Sequence, residues 1–401
     1  MKLYKKHISD LGKVITGKTP RTSILENYGG KIPFLTPSDN LSEKFSPTTF
    51  KTLTKIGLNE VKNCLLPSKS ICVSCIGSDL GKVVLTKKPT VTNQQFNSIV
   101  PNEENDADFI YYLMTVVGKH LNYLSKTSTA VPIINKSTFA NYEIEIPNIK
   151  EQKRIGKILS SIDDKIELNR RINDNLEQQA QALFKSWFVD FEPFKGRKFV
   201  DSELGMIPEG WRVEELGNIT NSITEKAGNR TDVKVLSPVN TGELLLSEEY
   251  FTKQVYSKNL AKYIMVAPND FSYNPARINI GSIGMNTFDF SGCVSPVYVV
   301  FRCEKGYHHF FNIFKTTKNF KEEVNTRAIG GVRQTLSYKD FSLIKIVYPP
   351  KEVVEQFNKI YSHIMTLIKK NVLENKRLDQ TRDTLLPKLM SGELKINDIN
   401  N

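Results

Sequence analysis

The chain has 401 residues, 39% hydrophobic and 24% charged, with 55 Lys and Arg against 43 Asp and Glu for a net charge of +12. At roughly 100–200 residues per domain it holds two or three domains, and its composition excludes a disordered chain. No apolar run approaches the ~18 residues of a membrane span, and the basic excess favours a polyanionic partner over a membrane. Met1–Lys6 leads into Ser9 and Asp10 rather than an apolar run, so no secretory signal is expected. Five cysteines at 64, 72, 75, 293 and 303 form no disulfide framework, which fits a reducing, cytoplasmic setting.

Residues 1–150 carry the largest share of the charge, +7, and read as a first globular domain. Ser70–Ile76, Lys82–Leu85 and Tyr142–Ile146 have the texture of short strands between Gly, Pro, Asn and Asp turns, and Ala107–Leu124 that of a helix. The expected class is mixed α/β with a mostly β core. Lys18 and Arg21 lie in a loop rich in Gly, Thr and Pro, where a cation can hold phosphate. Cys72-Val73-Ser74-Cys75 has CxxC spacing, but in a strand residues three apart point to opposite faces, so a buried structural role is expected. Gly77-Ser78-Asp79-Leu80-Gly81-Lys82 is one residue short of a phosphate loop, and Val83 stands where such a loop needs Ser or Thr; it reads as a turn, with Lys82 a further phosphate candidate. Asn93, Gln94 and Gln95 put three amides beside a strand, a chemistry that pairs with adenine edges.

Residues 151–192 read as one long helix, and the span 151–190 balances to zero charge. Heptad a positions fall on Ile155, Ile162, Asn169, Leu176 and Leu183, and d positions on Leu159, Ile166, Asn173, Ala180 and Trp187. Only the two asparagines are polar. No Pro or Gly interrupts Lys157–Glu192, a length of roughly 54 Å at ~1.5 Å per residue.

Residues 193–210, with Pro193, Gly196, Gly205, Pro208 and Gly210, read as a linker and 211–350 as a second globe; the span 191–350 carries a net charge of +3. Val297–Phe301 and Leu343–Val347 have strand texture. Lys226 and Arg230 repeat the basic loop of the first half; Tyr273-Asn274-Pro275-Ala276-Arg277 joins an aromatic ring, an amide and a guanidinium; Arg333 follows Gly330-Gly331. Asn274, Arg277 and Arg333 are base-reading candidates because amides suit adenine and guanidinium suits guanine. His308-His309 lacks partners at a metal-ligand spacing and reads as a polar surface pair. Tyr348-Pro349-Pro350-Lys351 and Asn274-Pro275-Ala276-Arg277 both fail the (N/D)-P-P-(Y/F) run expected for methyl transfer to an exocyclic amine.

Residues 351–392 read as a second long helix with a positions at Phe357, Ile364, Asn371, Leu378 and Leu385 and d positions at Tyr361, Ile368, Asn375, Arg382 and Leu389. A shift of 202 lays it on the first, asparagine on asparagine; the same shift carries Phe139, Ile144 and Pro147 onto Phe341, Ile346 and Pro349. The expected architecture is α+β, two mixed domains separated by two long antiparallel coiled-coil helices in an internal pseudo-two-fold repeat. The buried asparagines would fix register, and Pro387 should end or kink the second helix.

Four strings then give the sequence a family likeness: Thr92–Ile99, Ile146-Pro147 leading into Glu151–Ile155, Leu183–Phe191, and Asp201–Trp211. With them the whole chain resembles the specificity subunit of a type I restriction-modification enzyme. One departure is that Glu355-Gln356 is displaced from the position matching Glu151-Gln152. The resemblance implies two target recognition domains, each reading half of a split site on double-stranded DNA, with helices that set the spacer. It also implies two docked methyltransferase subunits and, in the full complex, restriction/translocase subunits. It places S-adenosylmethionine, ATP and Mg on those partners and no cofactor, metal or catalytic residue on this chain. Half-sites read from one side of the duplex would lie roughly 34–36 Å apart or near it. The alternatives are the specificity chain of a fused type II-like system, a stand-alone nuclease or methyltransferase, and a scaffold that only joins proteins.

Overall fold

A computed structural model describes residues 1–45, 48–125, 133–230, 232–251, 255–328 and 335–394. The chain divides into two units, the first made of 1–171 with 370–401 and the second of 172–369. Each long helix thus contributes to both units.

The first unit is built on an antiparallel sheet with spatial order Gly12–Thr16, Phe96–Pro101, Ile71–Ser74, Val83–Leu85. Its third strand is buried on both faces. Ile71, Val73 and Cys75 join the core beneath the helix Ala107–Ser125, whereas Cys72 joins a separate core with Leu35, Leu66 and Phe96. This is the period-2 alternation of a strand, and it separates the two thiols as the sequence predicts. Burial pushes Cys72 up to about 12 and Cys75 to about 11, so both are inert thiols. A second sheet, ordered Lys51–Leu53, Tyr28–Leu35, Thr90–Thr92, Leu65–Leu66, carries one parallel pair, and Tyr4–His7 pairs with Glu143–Ile146.

The glycine-rich turn at 77–82 has a packing task. Gly81, at φ 87°, meets Gly118 of the helix so closely that a Cβ on either would sit 2.1 Å from the other's carbonyl oxygen. Only two glycines permit that approach of helix to turn.

The second unit repeats the scheme. Its main sheet is ordered Thr220–Ile223, Val299–Cys303, Phe271–Tyr273, Ile283–Met285, the same path as in the first unit, and Arg212–Glu215 pairs with Lys345–Tyr348. Its core is aromatic: Phe271, Phe301, Phe311, Phe320 and Phe341 lie ring against ring. The residues 193–210, expected as a linker, are folded into this unit. They form a short 3-10 turn, Glu192–Phe194, and a two-stranded pair, Phe199–Val200 with Ile207–Pro208, with Phe194 and Ile207 buried.

The first long helix runs Ile149–Phe188, starting and ending before the expected 151–192. Its end is set by Phe191, which turns left-handed at φ 53° and packs its ring on Trp211 (5.4 Å) and Phe199 (5.9 Å). Ring packing holds a conformation that a bulky residue otherwise avoids. The second helix runs Lys351–Ser391 and does not end at Pro387. Proline removes one backbone donor, but Leu386 and Leu389 on either side of it are buried in the first unit's core and hold the last turn in place.

The helices pair antiparallel within each unit. In the first, Ile155 and Leu159 share a core with Leu386 and Leu389, and Asn169 Nδ2 donates to Asn375 Oδ1 at 2.9 Å and to Glu374 Oε2 at 2.9 Å. In the second, Ala180, Phe184 and Phe188 meet Phe357, Tyr361, Ile364 and Ile368. The seam drifts by one residue toward the helix ends: Phe184, Phe188 and Leu386 are buried, while Leu176, Leu183 and Leu385 are only partly so, as are Ile162, Leu378 and Asn371 nearer the middle. A straight helix departs from a seven-residue repeat by about 20° per heptad, and the ends pack against their globes as well as each other.

Candidate nucleic-acid interface

In the first unit the loop after Gly12–Thr16 is laid on the turn 92–95. Gly17 N donates to Phe96 O at 3.1 Å and Lys18 N to Thr92 O at 2.9 Å. Gly17 is required there, because a Cβ would meet Asn93 O at 2.1 Å. Thr19 Oγ1 donates to Gln94 Oε1 at 2.7 Å. Sequence-distant candidates are therefore brought onto adjoining segments, with Lys18 and Gln94 both exposed. Asn93 and Gln95 hold the turn itself, with Asn93 Nδ2 donating to Gln95 Oε1 at 3.0 Å and Gln95 N to Asn93 Oδ1 at 3.1 Å. Part of their amide capacity is spent on structure.

Arg21 and Lys82 do not join this group as free cations. Arg21 is forked onto Glu60 (Nη2 to Oε1 2.8 Å, Nε to Oε1 3.0 Å), which holds the Glu60 carboxyl below its usual range. Lys82 pairs with Asp79 at 2.6 Å and lines a separate cleft of about 620 Å³ with Lys44, Lys119, Asp163, Arg170 and Arg382. The exposed Lys136, not singled out in the sequence, acts with Lys18 on the thiol of Cys64, both opposing the upward push of burial. Its only signal in sequence is a lysine at the start of a short helix, Lys136–Ala140, capped by Asn135.

The second unit presents the counterpart of the turn that follows Ile71–Ser74, which lies against the turn 92–95 through the bond from Cys75 N to Gln95 O at 2.8 Å. Ile134 N donates to Cys75 O at 2.9 Å in the first unit and Leu336 N to Pro275 O at 3.0 Å in the second. The turn that begins at Asn274 is shaped by that residue, whose Oδ1 accepts from Ala276 N at 3.0 Å, and it carries Arg277 exposed to solvent. The Arg277 charge opposes the upward push of burial on Tyr298. Lys226 is exposed. Arg230 is also exposed, but its Nη2 is held by Glu225 at 2.8 Å and its Nη1 by Lys226 O at 3.3 Å. Arg333 lies outside the described residues.

The half-buried His309 and the buried Lys315 have shifted charges as well. His308 and His309, expected as a polar surface pair, are half-buried. His309 packs on the Tyr361 ring at 5.0 Å, and burial with the His308 charge pushes it down to about 4. Lys315, 7% exposed, donates to Gly242 O at 2.6 Å, and burial brings it down to about 8. No helix among the described residues is long and apolar enough to cross a membrane.

A fold written twice, with a polar, basic turn region in each copy and helices shared by both, defines a two-module binding protein. Residues 2–178 match the family model described as type I restriction modification DNA specificity domain. The chain is 30% identical over 416 residues to the type I restriction enzyme MjaIX specificity subunit of Methanocaldococcus jannaschii, covering 98% of this chain and 94% of that one. It is 37% identical over 176 residues to the HindI specificity subunit of Haemophilus influenzae, covering 42% and 38%. The type I restriction-modification S subunit from M. genitalium shares the fold, with a TM-score of 0.60 at 16% identity over 97% of this chain and 96% of that one. The chain belongs to the type I restriction-modification specificity subunits, and its role is DNA recognition.

Proposed function

We propose that each unit reads one half of a bipartite target, that the long helices set the spacer between the halves, and that their outer faces dock two methyltransferase subunits, to which restriction/translocase subunits attach. The observation that carries this reading is the duplication itself: one sheet order and one turn, anchored by the same backbone bond, occur in both units. In this reading Lys18 and Lys136 hold phosphate and Gln94 meets base edges in the first half-site; Lys226 holds phosphate and Arg277 and Asn274 meet bases in the second. The chain positions and does not react. S-adenosylmethionine, ATP and Mg belong to the partners, and the target base is flipped into a partner's pocket.

The test is to replace residues 1–150 with the matching domain of a relative and sequence the methylated sites in cells that supply the partner subunits. Only one half of the target should change. A change in both halves, or methylation by the purified chain alone, overturns the reading.

A further inference from the structure

The two long helices come from equivalent halves of a duplicated chain, so each carries nearly the seam of the other. Asn375 Nδ2 donates to Ile166 O at 3.3 Å and Asn173 Nδ2 to Ile368 O at 3.5 Å, and a shift of 202 turns one bond into the other. By the same shift, two first helices from separate copies could form these bonds, and so could two second helices. These two bonds fix register but do not tell like from unlike.

A buried charged group in the seam does. Asp163, 8% exposed, accepts from the Tyr112 hydroxyl and pairs with Arg382 Nη1 at 2.7 Å. A shift of 202 replaces Asp163 by Met365 and Arg382 by Ala180. A shift of 201, which aligns the starts of the helices Ala107–Ser125 and His308–Phe314, replaces Tyr112 by Ile313. Met365, Ala180 and Ile313 all lie in or against the apolar core of the second unit. One half of the seam therefore closes on an ion pair and the other on hydrocarbon.

We infer that Tyr112, Asp163 and Arg382 form a pairing selector, which admits the first helix to a second helix and rejects another copy of this chain joined through like helices. If two first helices met, each Asp163 would face Ala180 of the other copy. If two second helices met, each Arg382 would face Met365. The first arrangement buries two Asp163 carboxylates without a guanidinium partner, and the second leaves each Arg382 only Asp379 and Asp383 of its own helix, whereas the native pairing joins Asp163 to Arg382. Each buried Asp163 left without Arg382 weakens association of like first helices by roughly a hundredfold, at tenfold per 1.4 kcal/mol. The selector works by penalising the wrong partner, as polar seam residues do in coiled coils.

The test uses the full chain. One copy carries Asn169→Cys and another Asn173→Cys; refolded together, they can form a disulfide at these positions only if first helices meet. In the native background the cross-link should be scarce. In the background Tyr112→Ile, Asp163→Met, Arg382→Ala, which copies the second unit, its yield should rise at least tenfold. Equal yields in the two backgrounds overturn the inference. A second measurement covers a triple variant that fails to fold. Asp163→Arg and Arg382→Asp should each lower the thermal midpoint, and the double exchange should recover most of the loss; an exchange no better than the single variants also overturns it.

Discussion

At Gly118 a familiar rule changes sign. Alanine in place of a helical glycine usually stabilises by about 1 kcal/mol. Here the new Cβ would lie 2.1 Å from Gly81 O, so Gly118→Ala should destabilise by roughly 1–3 kcal/mol, as overpacking does; urea unfolding measures it. His309 makes a pH prediction. Its folded pKa is about 4, below the ordinary 6.5. Between those values the unfolded chain binds the extra proton, so stability is full above about 6.5 and falls as pH drops toward 4. The loss attributable to this ring is up to about 3 kcal/mol. His309→Phe should remove that part of the acid sensitivity, measured as the difference between unfolding at pH 4.5 and pH 7. For binding, Lys18→Ala should weaken all sequences alike and reduce the salt slope by about 1, whereas Gln94→Ala should relax preference at one position, costing ~1–3 kcal/mol there. Titration of duplexes at several salt concentrations separates the two.

At the scale of elements, periodicity was highly legible. Strands expected near 70–76, 82–85 and 142–146 and the helix near 107–124 are found as Ile71–Ser74, Val83–Leu85, Glu143–Ile146 and Ala107–Ser125. Both long helices are found, because apolar spacing is a local property. The fold of residues 193–210 was not legible. Its prolines and glycines say turn, but what makes it structure is distant: Phe194 packs on Trp211 at 5.1 Å and on Trp187 at 6.5 Å. The strings Leu183–Phe191 and Asp201–Trp211 that carry the family likeness are the two sides of this aromatic packing. The candidate site was half legible. Residue types pointed to Lys18 and Gln94, but nothing local revealed that Glu60 occupies Arg21 or that Lys136 shares the surroundings of Lys18. In the seam, Asn169→Leu with Asn173→Leu should alter pairing fidelity more than stability, since a buried amide fixes register at some energetic cost. Mass measurement by light scattering beside a thermal melt would show it.

At the scale of the molecule, the net charge of +12 sets the form of DNA binding. If six to ten phosphates are neutralised, affinity should fall by about 10³–10⁵ between 50 and 200 mM salt. A flat salt response would contradict phosphate-dominated binding. The division into units has a temporal side. Residues 172–369 of the second unit are continuous, whereas the first unit needs both 1–171 and 370–401. A ribosome emits Ile155, Leu159 and Asp163 some two hundred residues before Leu386, Leu389 and Arg382, so the half synthesised first is completed last. A nascent chain halted near residue 369 would expose those apolar side chains and a carboxylate lacking its Arg382 partner, which makes the closing segment a natural checkpoint for quality control.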